Sequence, residues 1–189
     1  MKKRSIFLIA IFIISIANSN AQSGLNFRPK QLFKEIQNQY KCVNPTLVEL
    51  ESNSDLVTDT INQKYFKVIN STLIGFAYIG RVKTCRAGVC AAIDKFKSND
   101  SYEYFDYFIL FDTFAKIRSV NIFNYEASNG QEITVQKWLK QFVGYDGKEE
   151  LNVGKNIDAI SGATISVYSI TDDISSKTEN LKKYILENK

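Results

Sequence analysis

Asp158-Ala159-Ile160-Ser161-Gly162-Ala163-Thr164 places a threonine hydroxyl behind two very small residues, with a serine three positions upstream and a carboxylate six upstream. Residues of these types in this order can offer both a hydroxyl and exposed backbone to a phosphate. Gly162 can take positive φ and allows another group close to the backbone. Ala163 adds little bulk. Ser161 and Thr164 are both suited to cap a helix N-terminus, and the free N–H groups of such a start attract a phosphate. The competing reading is a tight turn and helix cap with no ligand. Asp158, the helix that follows and the N-terminal segment described below weigh against it.

Other chemistries are excluded by composition. The chain has no histidine. Ser-His-Asp and Cys-His sites, histidine metal centres and a c-type haem are therefore ruled out. Three cysteines remain, Cys42, Cys85 and Cys90, and three thiolates alone do not make a structural zinc site. Cys85 and Cys90 could close a small disulfide loop, form a redox-active pair or stay as free thiols. Cys42 is then left over and suits a buried apolar position.

The elements along the rest of the chain must hold the Asp158–Thr164 stretch. Behind it, Ile165, Tyr168, Ile170, Ile174, Leu181, Tyr184 and Ile185 recur at mostly helical spacing, with charged residues between them. Asp172 and Asp173 lie nearer the start of this helix, and Lys182 and Lys183 nearer its end, as the helix dipole prefers. Pro29 to Tyr40 reads as a helix started by its proline. Val43 to Asn62 is ambiguous, with a loop at Ser52 to Asp55. Tyr65 to Ile69 and Leu73 to Val82 read as strands. Glu103 to Phe111 and Ile117 to Tyr125 read as a β-hairpin. Thr134 to Val143 reads as a short helix with Val135, Trp138, Leu139 and Phe142 on one side. Strands and helices in this mixed order predict an α+β domain, an antiparallel sheet with flanking helices, rather than a parallel sheet.

The 189 residues suffice for one domain with a proper core. Lys2, Lys3 and Arg4 precede an apolar run from Ile6 to Ala17, interrupted only by Ser15, and Ser19-Asn20-Ala21 offers a small-residue cleavage site. Residues 1–21 are thus expected to be a signal peptide cleaved after Ala21, with an uncleaved N-terminal anchor as the alternative. The expected location is the periplasm or the outer face of the inner membrane. Without this segment the formal charge falls from +4 to +1. With mixed signs and no long basic run, nucleic acid is a poor partner.

From about Tyr65 to the C-terminus the chain resembles the FMN-binding domain family. That family includes the small flavin subunits of the sodium-translocating NADH:quinone oxidoreductase and of the Rnf electron-transport complex. The likeness is strongest at Ile157 to Thr164 and extends to the hairpin and to Trp138-Leu139-Lys140-Gln141-Phe142-Val143-Gly144. It divides the chain into the signal peptide 1–21, an N-terminal helical segment 22–64 and an FMN-binding domain 65–189. It implies covalent FMN, held through its phosphate by the last threonine of the motif, here Thr164. Asp158, Ser161, Gly162 and Ala163 match the rest of the motif, and Glu126 matches a family glutamate just after the hairpin. The chain departs next to that glutamate, where Ala127-Ser128-Asn129-Gly130 replaces the usual Thr-Pro-Gly stretch. An exported FAD:protein FMN transferase is the implied partner for attachment, and membrane or envelope redox proteins are the implied partners for electrons.

The resemblance implies an electron carrier before all else, because no catalytic acid or base stands out and no substrate domain is fused. A flavin-dependent reductase of a small envelope substrate is the second reading, with Glu126 or a tyrosine as proton donor. A flavin-free binding module is the third. Trp138, the only tryptophan, suits a buried anchor better than a flavin contact.

Overall fold

The computed structural model describes residues 24–50, 61–84 and 103–188. The expected signal peptide, the expected loop at Ser52 to Asp55, and Cys85 and Cys90 lie outside the described residues.

Among the described residues, five strands form one antiparallel meander in the order β1 (Thr46–Glu49), β2 (Gln63–Asn70), β3 (Thr72–Thr84), β4 (Glu103–Phe111) and β5 (Ile117–Glu126). Strand β1 was not evident in the ambiguous stretch. It is four residues long with only Leu47 buried, too short for its period to register.

Two helices sandwich the sheet, α1 (Lys30–Tyr40) and a long C-terminal helix at Thr164–Glu187. Side chains alternate across a strand, and β4 supplies both faces. Phe105, Tyr107, Ile109 and Phe111 join the core beneath the C-terminal helix, with its Val167, Ile170, Ile174 and Leu181. Phe108 and Leu110 join the core beneath α1, with Leu32, Ile36 and the buried Cys42. Because both faces are covered, β4 is almost continuously apolar, although it pairs antiparallel on both sides. Polar tethers fix the C-terminal helix on its sheet. Tyr107 donates its hydroxyl proton to Asp173 Oδ2 at 2.5 Å, and Tyr65 donates to the Lys177 carbonyl at 3.0 Å.

The single helix expected over Thr134 to Val143 is instead broken. A 3-10 turn at Gln131–Thr134, the four-residue helix α2 (Gln136–Leu139) and a second 3-10 turn at Lys140–Phe142 follow one another. Val135 sits between the first two in extended conformation, with ψ 121°. The segment wraps the free edge of β5, burying Ile133, Trp138, Leu139 and Phe142, and a straight helix could not follow that edge. With α2 assigned, the C-terminal helix is α3. Among the described residues no helix is long and apolar enough to cross a membrane.

Candidate functional site

The Asp158–Thr164 stretch is held from both sides before α3 begins. Upstream, the Asn152 carbonyl accepts from the N–H groups of Lys155, Asn156 and Ile157 at 3.1 to 3.2 Å. That closed loop delivers Ile157 to the core. At the next residue the broken helical segment grips the backbone. The Trp138 indole N–H donates to the Asp158 carbonyl at 2.8 Å, and the Asp158 N–H donates to Gln141 Oε1 at 2.8 Å. Trp138 is buried and edge-on to Phe142, with ring centroids 5.4 Å apart. It is the anchor expected of it, and what it anchors is the site. The Asp158 carboxylate itself is exposed.

A turn then presents the hydroxyl. The Ala163 N–H donates to the Ile160 carbonyl at 3.1 Å, and Gly162 lies at φ +83°. An added Cβ on Gly162 would meet nothing within 4 Å, so conformation rather than space requires glycine here. Ala163 packs into the core, while Ser161, Gly162 and Thr164 are exposed.

The capping expectation is corrected. Ala163 is the N-cap of α3 and no side chain caps the helix. The first helical bond runs from the Val167 N–H to the Ala163 carbonyl at 2.9 Å. The N–H groups of Thr164, Ile165 and Ser166 therefore have no partner within the helix. The macrodipole expectation is corrected as well. No acidic residue lies in the first turn and no basic one in the last, and the effect fades beyond those turns.

The loop after β5 reaches the same place. Tyr125 stacks on Phe105, with centroids 5.8 Å apart and planes 7° apart. Its hydroxyl donates to the Asn129 carbonyl at 2.6 Å and lies 3.2 Å from Ser166 Oγ. Gly130, at φ +87°, packs so closely that an added Cβ would sit 2.7 Å from Ser166 Oγ. Burial raises the Tyr125 pKa, opposed by its hydrogen bond with Ser166. Sequence reasoning did not single out Tyr125, whose signal was its place in the β5 alternation.

Glu126 is exposed and opposite Tyr104 in the register. Alternation turns its side chain to the face opposite Tyr125. On that face Arg81 stacks over the Tyr104 ring at 3.7 Å. Arg81 also forms a bidentate pair with Asp106 at 2.7 and 3.0 Å, and Asn124 adds a bond to Asp106 Oδ2 at 3.1 Å. Hydrogen bonding to Asp106 raises the Arg81 pKa, with the negative charge of Glu126 adding a smaller contribution. The structure thus joins the Asp158–Thr164 turn, Trp138, Gln141 and the Tyr125–Gly130 loop. It sets the Glu126 side chain on the other side of the sheet.

An exposed threonine hydroxyl, a left-handed glycine and three free N–H groups fit the phosphate end of a nucleotide. Residues 105–176 match the model of the FMN-binding domain family. That span runs from β4 into α3 and contains the Asp158–Thr164 turn, Trp138, Gln141 and the Tyr125–Gly130 loop. That match supports FMN as the cofactor and points to a flavin-binding role in electron transfer. No match is found among curated proteins.

Proposed function

We propose that this chain is an exported electron-transfer flavoprotein that carries FMN covalently, through a phosphoester on Thr164. The observation that supports this most is the Thr164 hydroxyl. It is exposed at the first position of α3, between a left-handed glycine and N–H groups with no helical partner. Those N–H groups stabilise the charge a phosphodiester keeps. Trp138 and Gln141 hold the turn in place through Asp158. FMN supplies the redox chemistry when bound, and the chain supplies position and electrostatics.

A threonine hydroxyl is a weak nucleophile without a base beside it, and the chain has no histidine. The base therefore belongs to a partner, an exported FAD-dependent flavin transferase. The location across the inner membrane and the membrane or envelope redox partners follow from reading residues 1–21 as a signal peptide.

The test is absorbance of the acid-denatured protein after coexpression with such a transferase, followed by peptide mass spectrometry. Flavin that stays with the polypeptide and maps to the peptide holding Thr164 is the expected result. Flavin released by acid refutes the covalent linkage, and FMN mass on another residue refutes the acceptor. N-terminal sequencing of envelope protein should begin at Gln22, and a start at Met1 refutes cleavage.

A further inference from the structure

Two hydroxyls lie side by side in the first turn of α3, Thr164 and Ser166, and the structure treats them in opposite ways. Thr164 is exposed, whereas Ser166 is 4% exposed. We infer that the Tyr125–Gly130 loop is the specificity determinant that bars Ser166 from flavin attachment and leaves Thr164 to receive it. The inference rests on the covalent reading above and adds to it a residue-level reason for the choice of acceptor.

The bonding pattern carries the argument. A tyrosine hydroxyl has one proton to donate, and Tyr125 gives its proton to the Asn129 carbonyl at 2.6 Å. At the 3.2 Å contact with Ser166 Oγ, Tyr125 must then accept and Ser166 must donate. The proton that an external base would need to remove from Ser166 is thus directed at Tyr125. The other side of Ser166 Oγ is closed by Gly130, whose space admits only hydrogen. The left-handed φ of Gly130 brings the loop backbone in that close.

Attachment forms a bond from the hydroxyl oxygen to the FMN phosphorus of a flavin dinucleotide. The bond from that phosphorus to the AMP leaving group breaks, and the hydroxyl proton passes to the transferase base. An oxygen that accepts a phosphoryl group must face it in line with the departing group. Thr164 can meet that demand from the surface. Ser166 cannot while Tyr125 and Gly130 cover it. Ser161 is exposed like Thr164, so the loop separates Thr164 from Ser166 only.

The test uses the full chain coexpressed with the transferase, with FMN located by peptide mass spectrometry. The wild type is expected to carry FMN on Thr164, Thr164→Ala to carry none, and Thr164→Ala/Tyr125→Phe to carry it on Ser166. FMN on Ser166 in Thr164→Ala overturns the inference. An unmodified Ser166 in the double variant, while Tyr125→Phe alone still loads Thr164, overturns it too. If Tyr125→Phe does not fold, Gly130→Ala replaces it, because the added methyl would sit 2.7 Å from Ser166 Oγ and 2.9 Å from the Tyr125 hydroxyl and must break the contact between them.

A second arm needs no flavin. Thiols introduced as Thr164→Cys or Ser166→Cys are alkylated, and labelling is read peptide by peptide, which separates them from the native cysteines. Ser166→Cys should react about 100-fold more slowly than Thr164→Cys, as a group reached only through local opening, and Tyr125→Ala, which removes the ring with the hydroxyl, should remove most of that difference. Equal rates overturn the inference. A wild-type chain that takes no flavin while Ser166→Cys stays protected refutes the covalent reading and leaves the shielding of Ser166 intact.

Discussion

Replacing Trp138 with phenylalanine isolates what the tryptophan does for the site. The change removes one donor, the indole N–H that meets the Asp158 carbonyl at 2.8 Å, and keeps an aromatic body against Phe142. Asp158 is exposed, so water can take up the abandoned carbonyl. The loss should then be near the net value of an ordinary hydrogen bond, about 1 kcal/mol. Trp138 is buried, and the smaller ring leaves a void that costs about 1 kcal/mol more. The sum of about 2 kcal/mol should lower Tm by about 4 to 8 °C in a protein of this length. Circular dichroism must follow the unfolding, because the variant has no tryptophan left to report. The Asp158 amide, still bonded to Gln141, should exchange about fivefold faster, as expected for a loop loosened by about 1 kcal/mol, and flavin loading should fall with it. An unchanged melting midpoint together with unchanged Asp158 exchange would refute the anchoring argument. Lost flavin with unchanged exchange would instead move Trp138 from anchor to flavin contact.

Thr164→Ala should change stability by no more than about 0.5 kcal/mol, because Ala163 and not Thr164 is the N-cap, while covalent flavin disappears; a large drop in the urea midpoint would contradict this geometry. Asp106→Ala should destabilise by about 3 to 5 kcal/mol, since it removes the bidentate carboxylate from Arg81, whose side chain is 8% exposed; a loss under about 1 kcal/mol in urea unfolding would mean the pair is solvated. Burial raises the pKa values of Tyr40, Tyr65 and Tyr107, with the Asp173 carboxylate adding to the last two. The unfolded chain releases these protons near pH 10 and the folded chain only at higher pH, so stability is full below about pH 10 and is lost as pH rises beyond it. Tyrosinate absorbance should show these three titrating late, and a single titration near the ordinary value would refute their burial.

The elements that carry strong local patterns were legible in the sequence. Helix α1 and strands β2 to β5 appear within a few residues of where spacing and β-branched or aromatic content put them. The α+β class followed from their order. The Asp158–Thr164 turn was legible for a local reason as well: glycine at positive φ and small neighbours are properties of the residues themselves. Strand β1 escaped because four residues with one buried side chain carry no period. The break at Val135 escaped because the apolar spacing of Thr134 to Val143 fits a helix equally well.

Contacts between distant residues were decided by tertiary structure alone. Trp138 and Gln141 meet Asp158 from about twenty residues away, and Tyr125 meets Ser166 across 41. Nothing in the composition of either partner encodes such a meeting. The capping oxygens expected of Ser161 and Thr164 were available in sequence, but Ala163 takes the N-cap position, which leaves Ser161 before the helix and Thr164 as its first residue, and neither caps it. Glu126 and Tyr125 are neighbours in the chain, yet the pleat of β5 sends them to opposite faces of the sheet. Residue types and spacing therefore determined which hydroxyls could hold a phosphate. The packing of a loop and a broken helix around the start of α3 determined which hydroxyl is open, because burial depends on what the rest of the chain brings alongside.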